Sequence, residues 1–224
     1  MTKLHVVTVF VGPDGNGGNL LGVFLDGSAI EESRRQQIAL ELGFSETVYV
    51  DDAQRGIVRI FLPTKEAAFA GHPMVGSAWL IREEVGPLDV LRPPVGDVVV
   101  RYEDDITWIR GRPEWLPGEM DVQQLDSPRE VETHPGQKMG DPWLYIWAWE
   151  DEAAGWVRSR SFPTTFGILE DEASGAASVV MGSRLGRPLV IKQGVGSEIR
   201  VAPREDGTVD IGGRTELVEV RDFS

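Results

Sequence analysis

A strand-to-helix segment occurs twice in this chain, about a hundred residues apart. Because each copy of a repeat must form one structural unit, this feature constrains the fold more than any single motif. One copy spans residues 59–78 and the other residues 160–177. With His72 aligned on Asp171, the glycines keep offsets of 99 to 101 residues: Gly76 with Gly175, Gly86 with Gly186, Gly96 with Gly196 and Gly111 with Gly212. We therefore predict two related halves separated by a cleft, in which the unlike residues His72 and Asp171 face each other.

Two uncharged segments predict two central helices. Met74–Ile81 and Ala173–Met181 contain no charged residue, although 26% of the chain is charged, so both helices should be buried. Strands are predicted after each of them, at residues 97–102 and 106–110, and at 199–202 and 209–211. The fold class is therefore predicted to be α+β, with each half a sheet around its own helix. The predicted lobes are 1–111 and 112–224, and the last strand is free to return to the first lobe.

Local signals predict one further helix in the first half and none at the matching place in the second. Ser28 and Glu31 have the spacing of a capping box, which predicts a helix from there to Leu42. Gly43 supplies the left-handed conformation that ends many helices. Residues 112–142 are rich in Pro, Gly, Asp and Glu and show no counterpart of this helix.

Composition excludes several classes of function. The net charge of −14 argues against nucleic acid and anionic membranes as partners, although a small anionic substrate responds to the local field of its site. The chain has no cysteine, which excludes disulfides and thiol catalysis, and its three histidines lack the spacing of a zinc site. No segment is long and apolar enough to predict a signal peptide or a membrane span. A cytoplasmic protein without a bound metal is expected.

Glu46 is the best single candidate for catalysis. In a strand that starts near Phe44, alternation places Glu46 on the same face as Val48 and Val50. Burial of a carboxylate on an apolar face raises its pKa, and a carboxyl tuned in this way can both take and return a proton. The alternative is that Glu46 lies at the mouth of the strand and is solvated.

His72 and Asp171 are predicted to be the N-cap residues of the two central helices. Both helices would then direct free amides and positive dipole ends into the cleft, which would form a site for a carboxylate. The alternative is structural, because Asp is a preferred N-cap in any helix. The glycine-rich loop 12–19 lacks a P-loop pattern, and its Asn19 is either close to a ligand or part of an ordinary connection.

The remaining signal is a set of four short motifs: Gly17-Gly-Asn19, Phe44-Ser-Glu-Thr47, Ala70-Gly-His-Pro73 with Gly76, and Gly167-Ile-Leu-Glu-Asp171 with Gly175. In this order the chain resembles the phenazine-biosynthesis PhzF-like family of the diaminopimelate-epimerase superfold, from about Leu4 to Arg221. The resemblance implies two pseudo-symmetric lobes, each a barrel-like sheet around a central helix, with the active site between them. It also implies a cofactor-independent isomerisation in which one glutamate moves a proton within a cyclic dienyl hydroxy acid.

The resemblance assigns roles residue by residue. Proton transfer falls on Glu46, while His72 and Asp171 match the assisting residues at the two helix ends. The residues expected to bind substrate are Asn19, Ser45, Gly71, Gly175 and Ala176. The epimerase branch of the superfold uses two cysteines, which this chain lacks, so two-thiol racemisation is excluded.

Three residues depart from the pattern of the family. Glu172 stands where the family usually has proline, and Leu20 also replaces a proline. Ala176 replaces a residue whose hydroxyl would bind a substrate carboxylate, and the second lobe is shortened around residues 112–142. These changes leave the proton-transfer residues in place and concern the recognition of the substrate.

Two functions follow from these observations. The first is a cofactor-independent isomerase that acts on a small, anionic, carboxylate-bearing metabolite. The second is a non-catalytic small-molecule-binding protein or dimeric scaffold that retains the fold. A homodimer is expected in either case, because Trp143, Trp147 and Trp149 on one predicted strand offer more apolar surface than a small lobe can cover.

Overall fold

The computed structural model describes residues 2–116 and 118–223, which form four α-helices and a mixed β-sheet. The helices are α1 (Glu32–Leu42), α2 (Gly71–Glu84), α3 (Pro128–Thr133) and α4 (Gly175–Leu185). The strands of the first half are β1 (Thr2–Val11), β2 (Asn19–Phe24), β3 (Glu46–Asp52), β4 (Ile57–Phe61), β5 (Glu66–Ala67), β6 (Val90–Leu91), β7 (Val98–Glu103) and β8 (Ile106–Gly111). Those of the second half are β9 (Asp121–Gln124), β10 (Leu144–Asp151), β11 (Trp156–Phe162), β12 (Leu189–Gln193), β13 (Ser197–Pro203) and β14 (Val209–Phe223).

The strands of the first half, completed by β14, close into a ring around α2. Strand β1 pairs with β2, β2 with β3, and β3 with β4, while β6, β7, β8 and β14 lead back to β1. A bridge between Ile57 and Arg92 joins β4 to the strand segment at β6. Ten of the fourteen residues of α2 are buried, so the helix forms the centre of this half.

The second half repeats this order of elements around α4. Strands β9 and β10 are parallel, β10 and β11 are antiparallel, and β11 and β12 are parallel. The first half has the same sequence of pairings: β2 and β3 are parallel, β3 and β4 are antiparallel, and a parallel bridge joins β4 to the segment at β6. Strand β14 pairs with β13 and β8 near its start and with β1 further on. The α+β class and the internal repeat are therefore present. The boundary between the lobes at residue 111 stays a prediction, and the outer ends, Met1 and Ser224, lie outside the described residues.

Two local predictions are wrong. Ser28 lies in a single 3₁₀ turn, Gly27–Ala29, and α1 begins only at Glu32 without a side-chain cap, so there is no capping box. The predicted stop is correct, because Gly43 adopts φ 70° directly after α1. Residues 112–142 do contain a counterpart of α1, the six-residue helix α3, capped by the Ser127 hydroxyl. A helix of this length is too short to give an apolar period in the sequence.

The two central helices meet end to end at glycine. A Cβ atom on Gly71 would lie 2.6 Å from the carbonyl carbon of Gly175, and one on Gly175 would lie 2.7 Å from the amide nitrogen of His72. Only the missing side chains allow the two helix ends to approach this closely. Each glycine is also the first residue of its helix, so Gly71 of the first half corresponds to Gly175 of the second.

The register of the repeat differs from the prediction at these helices. The sequence alignment pairs Gly76 with Gly175. In the structure the equivalent of Gly175 is instead Gly71, which lies five residues earlier in the chain. The repeat is therefore correct in the order of its elements but wrong in register at the helices. The connections that lead into the helices differ in length, which an alignment of glycines alone does not reveal.

The tryptophans at positions 143, 147 and 149 do not form the exposed surface on which the homodimer was predicted. Trp143 and Trp147 are buried in the main core, and Trp149 is half-buried and packs edge-on against Trp147. The physical reason for that expectation is therefore wrong, while the homodimer itself stays a prediction. Among the described residues, no helix is long and apolar enough to cross a membrane.

We expect Gly175→Ala to destabilise the fold. The added methyl group would meet backbone atoms of Gly71 and His72, which cannot move without separating the two helices. Overpacking of this kind costs about 3 kcal/mol. Thermal unfolding should show a clear fall in Tm, whereas Ser183→Ala, on the exposed side of α4, should leave Tm nearly unchanged. An unchanged Tm for Gly175→Ala would contradict the close approach of the helices.

Candidate active site

Three ionisable side chains from three elements line one small cavity between the halves of the chain. Glu46 is the first residue of β3, and His72 is the second residue of α2. Asp171 lies before α4, where its backbone amide donates to the carbonyl of Ser161. The cavity has a volume of about 40 Å³ and is closed by apolar side chains and the two helix ends. The structure thus brings together the three residues that the sequence proposed for catalysis.

The predicted N-cap positions are wrong for both helices. The N-cap residues are Ala70 and Ser174, so His72 lies inside the first turn of α2 and Asp171 lies three residues before the cap of α4. Asp171 is instead held in an extended bridge to Ser161, which prevents it from starting the helix. Neither helix has a side-chain cap, so the amides of both first turns stay available to an anion in the cavity.

Glu46 is buried and is therefore not the solvated residue of the alternative interpretation. It shares the inner face of β3 with Val48 and Val50, which belong to the main core. Burial raises the pKa of Glu46 to about 8, and the nearby negative charge of Asp171 acts in the same direction. Its Oε2 atom has no hydrogen-bond partner among the described residues. At neutral pH this carboxyl is mostly protonated, which places it in the range where a group can both give and take a proton.

His72 is a neutral partner of Glu46. The Nδ1 atom of His72 lies 3.4 Å from Oε2 of Glu46. Burial lowers the pKa of His72 to about 3, because no solvent stabilises the imidazolium ion. Within the described residues, its Nε2 atom also lacks a hydrogen-bond partner. A hydrogen bond with the Leu20 backbone acts in the opposite direction on this pKa but does not outweigh burial. The imidazole is therefore uncharged at physiological pH.

Asp171 is held at both carboxylate oxygens. Asn19 Nδ2 donates to Oδ1 over 2.6 Å, and the Ser174 hydroxyl donates to Oδ2. Burial raises the pKa of Asp171, while the hydrogen bonds from Ser174 and Asn19 act in the opposite direction. Asn19 connects β2 of the first half to Asp171 of the second, and its Oδ1 accepts a hydrogen bond of 3.2 Å from Ser45.

The five residues predicted to bind substrate fall into two groups. Gly71, Gly175 and Ala176 line the small cavity itself. Asn19 and Ser45 line a neighbouring outer groove of about 300 Å³, which also reaches Asp171. The amide of Asn19 is engaged by Asp171 and by the carbonyl of Ala173, so its first role is to join the two halves.

Sequence reasoning missed several residues of the site. Ser174 could have been found, because serine directly before a predicted helix is a preferred N-cap. Phe69 and Phe166 line the cavity and directly precede the motifs at residues 70–73 and 167–171, but neither belongs to the motif itself, and Trp143 comes from a segment without a site motif. Gln193 contacts Asp171 from β12 and belongs to no motif. In the part of the chain that the structure describes, no group of three or more His, Asp or Glu side chains could hold a metal ion.

We expect Glu46→Gln to stabilise the protein at alkaline pH. The pKa of Glu46 is higher in the folded chain than in the unfolded chain, so the folded state keeps a proton that the unfolded state releases above pH 4.5. Stability from this group is therefore lost between pH 4.5 and about 8. The glutamine variant does not ionise and should gain on the order of 4 kcal/mol over the natural chain near pH 8.

The measurement is denaturant unfolding of both proteins from pH 5 to pH 8.5. The advantage of Glu46→Gln should grow across this range. The exposed Glu216→Gln serves as the control and should show no such growth. A constant difference between Glu46→Gln and the natural chain would contradict the burial of an ionisable group at this position.

The chain is similar to known proteins in sequence and in fold. Residues 8–111 match the family model of the Phenazine biosynthesis-like protein. Trans-2,3-dihydro-3-hydroxyanthranilate isomerase of Pseudomonas aeruginosa is 27% identical over 252 aligned positions, which cover 91% of this chain and 89% of that protein. An uncharacterized isomerase of Mesorhizobium japonicum is 34% identical over 128 positions, 53% of this chain and 39% of that protein.

Solved structures show the same fold. The phenazine biosynthesis protein of the PhzF family from Enterococcus faecalis superposes with a TM-score of 0.76 at 19% identity, over 98% of this chain and 97% of that chain. The PhzF-family protein of Bacillus anthracis gives a TM-score of 0.71 at 17% identity, over 98% of each chain. At these identities the likeness concerns the fold alone.

Proposed function

We propose that this chain moves a proton within a small carboxylate-bearing metabolite without a cofactor, because residues 8–111 match the family model of the Phenazine biosynthesis-like protein and its relatives include proteins named as isomerases. Glu46 is the acid/base in this proposal, and His72 and Asp171 orient and tune it. The first-turn amides at Gly71 and Gly175 hold the carboxylate of the substrate. The ring system named in the relatives, a dihydro-hydroxyanthranilate, is the first substrate to test.

One observation carries the proposal. Glu46 is a buried carboxyl with a pKa of about 8 and an unpartnered Oε2, and it lines the cavity at which two uncapped helix N-termini meet. A proton carrier and an anion site are therefore adjacent. Perturbed acids of this kind are more common at active sites than elsewhere in proteins.

The reaction follows from this arrangement. The ionised Glu46 takes a proton from one carbon of the bound substrate, and the electron pair of that C–H bond moves into the conjugated system toward the carboxylate. The helix amides stabilise the added negative charge, as in other sites that use backbone donors. Glu46 then returns the proton to a second carbon on the same face, so the substrate and product have the same composition.

His72 and Asp171 support this transfer in different ways. The negative charge of Asp171 raises the proton affinity of Glu46, so that the carboxyl can hold the proton between the two steps. The neutral His72 lies 3.4 Å from Glu46 and lines the same cavity without adding a charge. Neither residue needs to change its protonation state during turnover.

A non-catalytic binding protein is the second candidate, and the size of the cavity favours it. Ligand sites usually have about 300–1,000 Å³, whereas the cavity at Glu46 has about 40 Å³. Catalysis therefore requires the cleft to open toward the outer groove of about 300 Å³. Ala176 lines the cavity without the hydroxyl that members of the family use there, which also favours a different ligand or the loss of turnover.

Deuterium transfer distinguishes the two candidates. In heavy water, a proton that resides on Glu46 exchanges with solvent, so the product of a turned-over substrate should contain deuterium at the carbon that receives it. Glu46→Gln should lower the rate by roughly 10²–10⁴-fold, the contribution of a general acid/base. Mass spectrometry of the product checks both results.

Binding should survive the same substitution, because the helix amides and not Glu46 hold the anion. Calorimetry with a carboxylate ligand should give a similar affinity for Glu46→Gln and the natural chain. Turnover by Glu46→Gln at the natural rate would rule out the assigned acid/base. Binding without turnover by the natural chain would favour the second candidate.

The pH dependence should report the charge of Asp171. Proton abstraction requires ionised Glu46, so kcat/KM should rise with pH and level off above about 8. Asp171→Asn removes the charge that raises the pKa of Glu46, and the midpoint should move to lower pH. Glu172→Gln is the matched control, because the Glu172 carboxylate instead accepts from the Val195 amide and the Ser197 hydroxyl. A midpoint that is the same in Asp171→Asn would contradict this role of Asp171.

A further inference from the structure

Gln193 is the last residue of β12 and contacts Asp171 and Ser174. It is 1% exposed and takes part in no motif of the sequence. Its Nε2 donates to the backbone carbonyl of Asp171 over 2.7 Å and to the hydroxyl of Ser174 over 3.2 Å. Its Oε1 accepts from the hydroxyl of Ser159 over 3.4 Å. Every polar atom of this buried amide therefore has a partner.

The carbonyl of Asp171 fixes the orientation of this amide. A carbonyl oxygen only accepts hydrogen bonds, so the atom of Gln193 that faces it must be the nitrogen. The second hydrogen of that nitrogen then points to the Ser174 oxygen. Because Ser174 accepts this bond, its own hydrogen is directed away from Gln193 and toward Oδ2 of Asp171.

From this arrangement we propose that Gln193 is a positioning residue, which orients the Ser174 hydroxyl and so keeps Asp171, and not Glu46, the ionised member of the two buried carboxyls. With Ser174 as a donor to Oδ2 and Asn19 as a donor to Oδ1, both oxygens of Asp171 accept hydrogen bonds. Such bonds favour the charged form of a carboxyl. Glu46 has less support: the Ser45 side chain acts to lower its pKa, but its Oε2 has no hydrogen-bond partner among the described residues, so the proton stays there.

The charged groups around the pair do not provide this selection. Glu46 approaches from β3 and the neutral His72 from α2, while Glu170 and Glu172 flank Asp171 in the chain. Glu170 is paired with Arg160, which lies outside the cavity and the groove. In the described part of the chain, no Lys or Arg lines the cavity or the outer groove. Hydrogen bonds rather than an ion pair therefore stabilise the negative charge on Asp171.

The effect of this role on catalysis rests on the proposed function. The role itself does not, since the position of the proton can be measured without a substrate. Carbon-13 NMR of the full chain, labelled at the Asp and Glu carboxyls, reports both titrations. Glu46→Gln and Asp171→Asn assign the two signals. The absence of isomerase activity would leave this measurement and its interpretation intact.

Gln193→Met has a similar length and no donor. We expect the titration midpoint of Asp171 to rise and that of Glu46 to fall by about half a pH unit or more, because the charge on Asp171 is less favoured. Ser174→Ala should shift both midpoints in the same directions. The double variant should add little to Ser174→Ala, because Gln193 acts through the hydroxyl. Gln123→Met, on the exposed β9, is the control and should shift neither midpoint.

Three results would overturn the proposal. Unchanged midpoints in Gln193→Met would show that Ser174 is oriented without Gln193. Shifts of the two single variants that add in full would show that Gln193 does not act through Ser174. If Gln193→Met does not fold, Ser174→Ala decides the question. Unchanged midpoints in that variant would show that the Ser174 hydroxyl does not determine which carboxyl is ionised.

Discussion

The close approach of two helix N-termini, at Gly71 and Gly175, is the constraint on which the rest of the structure depends. A side chain at either position would meet backbone of the other helix, so the two halves could not close on one cavity. The same contact brings two uncapped, partially positive helix ends together, which favours negative charge between them. Asp171 and an anionic ligand can both supply that charge. The packing of the core and the electrostatics of the site therefore have one origin.

The second property of the site is a division of labour between two buried carboxyls. Two such groups in one buried cavity are not readily ionised together, so their surroundings decide which of them keeps the proton. Asp171 receives hydrogen bonds at both oxygens, whereas Glu46 has an unpartnered oxygen beside the neutral His72. The protonated Glu46 costs the fold little at neutral pH, and its ionised form costs more. The burial that gives Glu46 its raised pKa therefore also lowers the stability of the fold once Glu46 ionises.

The residues at which this chain departs from the pattern of the family it resembles also have a structural account. Glu172, in place of the usual proline, binds the amide of Val195 and the hydroxyl of Ser197, and Ser197 in turn accepts from the amide of Gly18. The segment before α4 is thus tied to the β12–β13 turn and to the glycine-rich loop of the first half. Ala176 leaves the cavity apolar at that point, and the hydroxyl nearest to Asp171 comes from Ser174.

The sequence by itself determined the repeat of strands and helices, the burial of the two uncharged helices and the three residues that meet in the cavity. These features follow from local periodicity, charge and motif order, which are properties of neighbouring residues. Tertiary structure decided the register of the two helices, the cap residues, and the contact of Gln193 with Asp171. Each of these depends on atoms distant in sequence: Ser161 holds Asp171 out of the helix, and Gly71 meets Gly175 only because the two halves fold onto each other. Local sequence carries no signal for contacts of this kind, since the residues that make them are brought together only by the packing of the whole chain.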